Sequence, residues 1–94
     1  MGAESQQVRR RVVVHGRVQG VFFRDTARRL ASERGVAGWA RNRPDGTLEA
    51  VFEGSHDAVD AMVRFCHQGP RGAEVESVEV SEEPPRGESG FSVK

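Results

Sequence analysis

The chain has 94 residues, 36% hydrophobic and 30% charged, with a formal net charge of zero and a mean hydropathy of −0.58. This length suits one small domain with a single core. No apolar run approaches the roughly 20 residues that span a bilayer, and charge neutrality argues against bulk attraction to nucleic acid.

"MGAESQQ" reads as a lead-in without fixed structure over residues 1–7, ahead of one domain over 8–94. It has no apolar core of a secretory signal. Gln6 stands where a myristoylation motif has Ser or Thr. A cytoplasmic location is the default expectation. "VRRRVVVHG" (8–16) is β-branched and ends at a glycine, so it predicts a first strand. Alternation places Val8, Arg10, Val12 and Val14 on one face. Arg9, Arg11, Val13 and His15 fall on the other, which is expected to be largely solvated.

"VFFRDTARRLASERG" (21–35) carries Phe23, Ala27, Leu30 and Ala31 at helical spacing and stops at Gly35. "VAGWARN" (36–42) and "TLEAVFEG" (47–54) are strands joined by "RPDG", where proline presets φ and glycine accepts a positive φ. In the second of these strands Leu48, Ala50 and Phe52 form the buried face, and Glu49, Val51 and Glu53 a mostly wet one. Ser55 is placed to cap a helix over 56–68, with Val59, Met62, Val63 and Cys66 as its apolar stripe. Cys66, the one cysteine, allows no internal disulfide or cysteine metal cluster and reads as a small buried hydrophobe. "AEVESVEVSEE" (73–83) alternates again, and "FSVK" forms a short last strand after "PPRGESG".

The order β-α-β-β-α-β, with one wet strand face and two amphipathic helices, predicts an α+β ferredoxin-like split βαβ sandwich. Its antiparallel sheet is covered on one side by both helices. Such a fold carries no function by itself.

The loop "GRVQGV" (16–21) joins the first strand to the first helix. Gly16 and Gly20 let main-chain N–H groups converge, and the loop runs into a helix N-terminus that favours an anion. Arg24, in the first helical turn, can fold over the same point. A row of N–H donors with one guanidinium suits three phosphate oxygens, although the lysine of a Walker loop is absent. Taken by themselves, these residues are balanced between an ordinary tight connection and an anion site. Asn42, at a strand end, either bonds its local turn or reaches the loop if the hairpin curls across. Thirteen of the 14 basic residues are arginine, a skew too general to assign roles beyond Arg24.

"VHGRVQGVFFRD" and "GWARNRPDGTLEAVFEG" together resemble the two signature segments of the acylphosphatase family, in its order and separation, and "GFSV" resembles its ending. The resemblance spans nearly the whole chain. It implies hydrolysis of acyl phosphates to a carboxylate and inorganic phosphate, with no metal or organic cofactor. It places the catalytic arginine at Arg24 and the water-holding asparagine at Asn42. The phosphate cradle falls on the backbone N–H groups of Gly16, Arg17, Val18, Gln19, Gly20 and Val21. The partners it implies are small acyl phosphates and inorganic phosphate or a similar anion, with no nucleic acid or membrane, and the chain is expected to be a monomer. Leu48 departs from the family's usual valine, and Phe22 fills a variable position. The resemblance also allows the terminal Lys94 to reach Arg24. His15 reads as a bystander on the wet face, and His56 and His67 have no metal-pair spacing. Two other readings are a non-catalytic anion-binding module and an RNA-binding domain of the same strand order. The latter would want aromatics where Glu49, Val51 and Glu53 point outward.

Overall fold

The structure is a computed structural model and describes residues 7–94. Of the expected lead-in, residues 1–6 lie outside the described residues. Gln7 already belongs to the first strand, where it pairs with Ser55. Strand β1 (Gln7–Arg17) leads into helix α1 (Phe23–Arg34). Strands β2 (Ala37–Asn42) and β3 (Leu48–Ser55) follow, then helix α2 (His56–Gln68), β4 (Glu74–Glu83) and β5 (Phe91–Val93). The sheet order is β4-β1-β3-β2-β5. The pairs are antiparallel except β2 with β5, which is parallel. The fold is the expected α+β arrangement with a fifth strand at one edge.

Both helices lie on one face. Val12 and Val14 of β1, Ala40 of β2, and Leu48, Ala50 and Phe52 of β3 are fully buried beneath Ala27, Ala31, Val59, Met62 and Cys66. Helix α2 starts as its sequence predicts, with the Ser55 hydroxyl accepting from the Ala58 N–H at 3.3 Å. Helix α1 ends at Gly35, whose φ of 69° would strain a side-chain-bearing residue. The hairpin turn is held by Asp45, whose carboxylate accepts from the Thr47 N–H at 2.9 Å and the Thr47 hydroxyl at 2.6 Å. These bonds, the hydroxyl first, hold the Asp45 carboxyl below its ordinary pKa.

The opposite face departs from expectation. Its alternation is as predicted, but the charged positions are not wet: Arg9, Glu49 and Glu53 are 2%, 3% and 6% exposed. Arg9 stands directly opposite Glu53 on β3 and Glu83 on β4. It donates to Glu53 at 3.0 Å, Glu83 at 2.9 Å and Glu88 at 3.0 Å. Glu53 also accepts the N–H groups of Arg86, Gly87 and Glu88 at 3.0, 2.7 and 3.2 Å. The connection between β4 and β5 is therefore strapped across the sheet by a carboxylate. Glu49 pairs with Arg11 and, at 2.6 Å, with Arg41. Each buried charge has an opposite charge and hydrogen bonds, which is the condition for burial at tolerable energy.

Burial works against ionisation of both Arg9 and Glu53, yet their partners prevail. Arg9 is held above its ordinary pKa by Glu83, Glu88 and Glu53, and Glu53 below its own by the Arg86 N–H, Arg9 and the other two N–H groups. Glu83, hydrogen-bonded by Arg9 and Arg11, is lowered to about 2.

Candidate active site

The loop between β1 and α1 is pinned at Val18, which is buried in the core. Strand β1 runs further than the sequence suggests. Gly16 and Arg17 pair with Val75 and Glu74 of β4, beyond a bulge at His15/Gly16. Gly16 has φ 128°, and any Cβ there would collide with the Glu74 carbonyl. The free loop is thus Val18 to Phe22.

Here a pocket of about 250 Å³ opens, lined by Val18, Gly20, Phe22 and Phe23 from the loop and helix start, by Arg24 and Asp25 of the first helical turn, and by Asn42 across the sheet. The end of β2 does carry Asn42 to the loop. Gly20, at φ 74° with open space where a Cβ would stand, leaves bare main chain in the wall. The first α-helical bond of α1 runs from the Thr26 N–H to the Phe22 carbonyl. The N–H groups of Phe23, Arg24 and Asp25 therefore have no partner within the helix, and with the dipole they make this end electropositive.

Arg24 donates from Nη1 to the main-chain oxygen of Lys94 at 2.9 Å. Lys94 is itself fixed, its N–H bonded to the Ala40 carbonyl at 2.9 Å and its Nζ 4.3 Å above the Trp39 ring. Asn42 Oδ1 is buried and has no hydrogen-bond partner among the described residues. A buried acceptor of this kind is expensive to leave unmade.

Of the residues read as the cradle, Val18 and Gly20 line the pocket. Gly16 and Arg17 lie back in the ladder, and Arg17 reaches Glu74 at 3.3 Å. Val21 is half-buried against the core. Gln19 has a role in its side chain that was not foreseen: Nε2 donates to the carbonyls of Arg43 at 2.8 Å and Thr47 at 2.9 Å. It ties the loop to the turn that follows Asn42. A lone amide side chain among Val18, Gly20 and Val21 is the signal the sequence offers; its partners lie 24 and 28 positions away and meet it only through the fold. Phe22 and Asp25 are two further lining residues that sequence reasoning did not select.

His15 lies outside the pocket, bonded to Glu79 at 2.6 Å. Cys66 is wholly buried, and burial pushes its thiol up to about 12, so it is no nucleophile. Among the described residues no three His, Cys, Asp or Glu side chains gather as a metal site, and no helix is long and apolar enough to cross a membrane.

Fold and site together define a βαββαβ domain with an anion-receptive pocket at the β1–α1 loop. The family model for acylphosphatase matches residues 10–93. An acylphosphatase of Rubrobacter xylanophilus is 58% identical over all of this chain and 86% of its own length. A solved acylphosphatase of Coxiella burnetii superposes with TM-score 0.92 at 33% identity, covering the whole of both chains, and one of Bacillus subtilis with 0.88 at 35%, covering 93% of this chain and 98% of its own. The chain belongs to the acylphosphatase family and is an enzyme of that class.

Proposed function

We propose that this pocket hydrolyses acyl phosphates, with Arg24 and the adjacent main-chain N–H groups holding the phosphoryl group and Asn42 holding the attacking water. The observation that carries the reading is the buried, unpartnered Asn42 Oδ1 in the same pocket as Arg24. An oxygen that accepts a hydrogen bond from water can aim it without taking its proton.

The substrate R–CO–O–PO₃²⁻ has a leaving group of low basicity, so no strong acid is needed to protonate it. The water oxygen forms a bond to phosphorus as the phosphorus bond to the carboxylate oxygen breaks. The products are RCOO⁻ and H₂PO₄⁻, which balances charge and protons. What remains for the protein is alignment and stabilisation of negative charge on the equatorial oxygens. Arg24 serves the second need from one side while Lys94 steadies it from another. In this reading the cradle comprises the main chain at Val18 and Gly20 together with the first turn of α1, shifted towards the helix from residues 16–21. No cofactor enters these steps.

Hydrolysis of acetyl phosphate and benzoyl phosphate in the presence of chelator tests the proposal. The wild type should turn over. Arg24→Ala and Asn42→Ala should each lose about 10²-fold or more in kcat, the scale seen when one preorganised donor is removed. Circular dichroism should be unchanged. A folded wild type without turnover would refute the reading, and full activity in Asn42→Ala would refute the role of that residue.

A further inference from the structure

The phosphate end of the pocket is accounted for by Arg24 and the helix start, but the pocket is larger than that task. Liquid water occupies about 30 Å³ per molecule, so about 250 Å³ has room for a phosphoryl group and for more beside it. At its rim stands Phe22, which is 77% exposed and the most exposed large apolar residue of the described chain.

Its position is costly in two ways. At φ 60° and ψ 27° it is a bulky residue in left-handed backbone, a conformation that favours glycine or asparagine. It also occupies the N-cap of α1, where Ser, Thr, Asp or Asn would bond a free N–H, and it makes no cap hydrogen bond. Burial does not compensate for either, since the ring lies in solvent. The next residue, Phe23, is the one that fills the core, 2% exposed with its ring 5.2 Å from that of Phe65.

We propose that Phe22 is the platform for the acyl group and gives the site a preference for acyl phosphates with an aromatic or other flat apolar acyl part. This rests on the hydrolase reading above and specifies its substrate. Phe22 and Arg24 line one pocket, so the acyl group of a substrate whose phosphoryl group is held at Arg24 has the Phe22 ring in that pocket's wall to lie against. An aryl group laid on that ring removes two apolar surfaces from water together. Asp25, also at the rim, adds a second discrimination, because its carboxylate repels acyl parts that carry a negative charge of their own.

The test is kcat/KM for benzoyl phosphate and acetyl phosphate in the wild type, Phe22→Gly and Phe22→Leu. Glycine suits the left-handed backbone and leucine keeps an apolar side chain without a ring, so between them the variants separate the ring from the fold of the loop. The benzoyl-to-acetyl ratio should fall about threefold to tenfold in Phe22→Gly, the scale of one aromatic contact, mainly through the benzoyl phosphate KM, with a smaller fall in Phe22→Leu. A ratio within about twofold of wild type in Phe22→Gly, or an equal loss on both substrates, overturns the platform while leaving the hydrolase reading intact. A wild type that turns over neither substrate overturns both.

Discussion

Arg24 and Lys94, 70 positions apart in sequence, meet at 2.9 Å, where the guanidinium of the first helical turn donates to the main-chain oxygen of the last residue. Three further contacts place that oxygen: the Val93 pairing with Ala40, the Lys94 N–H on the Ala40 carbonyl, and the Lys94 ammonium over Trp39. The arginine thus has one of its donors fixed by the sheet, and among the described residues its other donors have no protein partner. Deletion of Lys94 should raise KM about threefold to tenfold, the equivalent of one solvent-exposed hydrogen bond of about 1 kcal/mol. The thermal midpoint should move only a few degrees. Steady-state kinetics beside a melting curve checks this, and an unchanged KM would mean that Arg24 orients itself.

Gln19 joins the loop to the hairpin turn through two carbonyls. Gln19→Leu keeps the bulk and removes both donors. Stability should fall by about 1–3 kcal/mol, and kcat should fall about tenfold because Asn42 loses its register with the loop. The informative readout is kcat with KM little changed, since Arg24 is untouched.

How much of this was legible in the sequence varies with the range of the interaction. Strand parity, both helix stripes, the Ser55 cap, the Gly35 stop and the Pro-Asp-Gly turn depend on neighbours a few residues apart, and all are present. The loop with Arg24 reads from its own residues as either a tight connection or an anion site, and Asn42 is singled out only by the family resemblance of its segment; the fold brings both to one pocket. The burial of Arg9 was not, because it depends on a register that sets residue 9 opposite residues 53 and 83. An alternating Arg–Val or Glu–Val strand looks wet until the partner strand supplies the countercharge. Phe22 was invisible for a different reason: its left-handed backbone is set by the loop as a whole, and no local preference of phenylalanine points there.

The charged back face makes acid sensitivity a direct test. Glu53 and Glu83 are held below their ordinary values, so the stability they contribute is complete above about pH 4.5, the ordinary glutamate range. It is lost as pH falls towards the folded value, about 2 for Glu83. Glu88, Arg11 and Glu49 are ion-paired within the same cluster. Urea unfolding at pH 7, 4 and 3 should show stability dropping steeply between the last two.

Arg9→Met removes the shared cation and leaves Glu53 buried without it. The expected loss at pH 7 is about 3–5 kcal/mol, and the acid dependence should flatten because the remaining carboxylates have less to lose on protonation. A variant as stable as wild type at pH 7 would show that the three N–H groups on Glu53 suffice.

Cys66 lies on the buried face of α2, and burial pushes its thiol up to about 12. A thiol reagent should fail to label native protein and label it fully in denaturant. The labelling rate at intermediate urea should follow the opening of the core. Rapid modification under native conditions would place Cys66 outside the core.

The register between Arg9 and Glu83 has a consequence for biosynthesis. Strand β1 leaves the ribosome first, yet it sits between β3 and β4 and cannot complete its pairing until residue 83 has been made. Closure of Arg9 onto Glu88 and of Arg24 onto Lys94 waits longer still. Such distant pairings slow folding relative to a helical bundle of similar size. They also defer closure until β4 and β5 have been made: a nascent chain halted after β3 would hold β1 with one edge unpaired and Arg24 without Lys94.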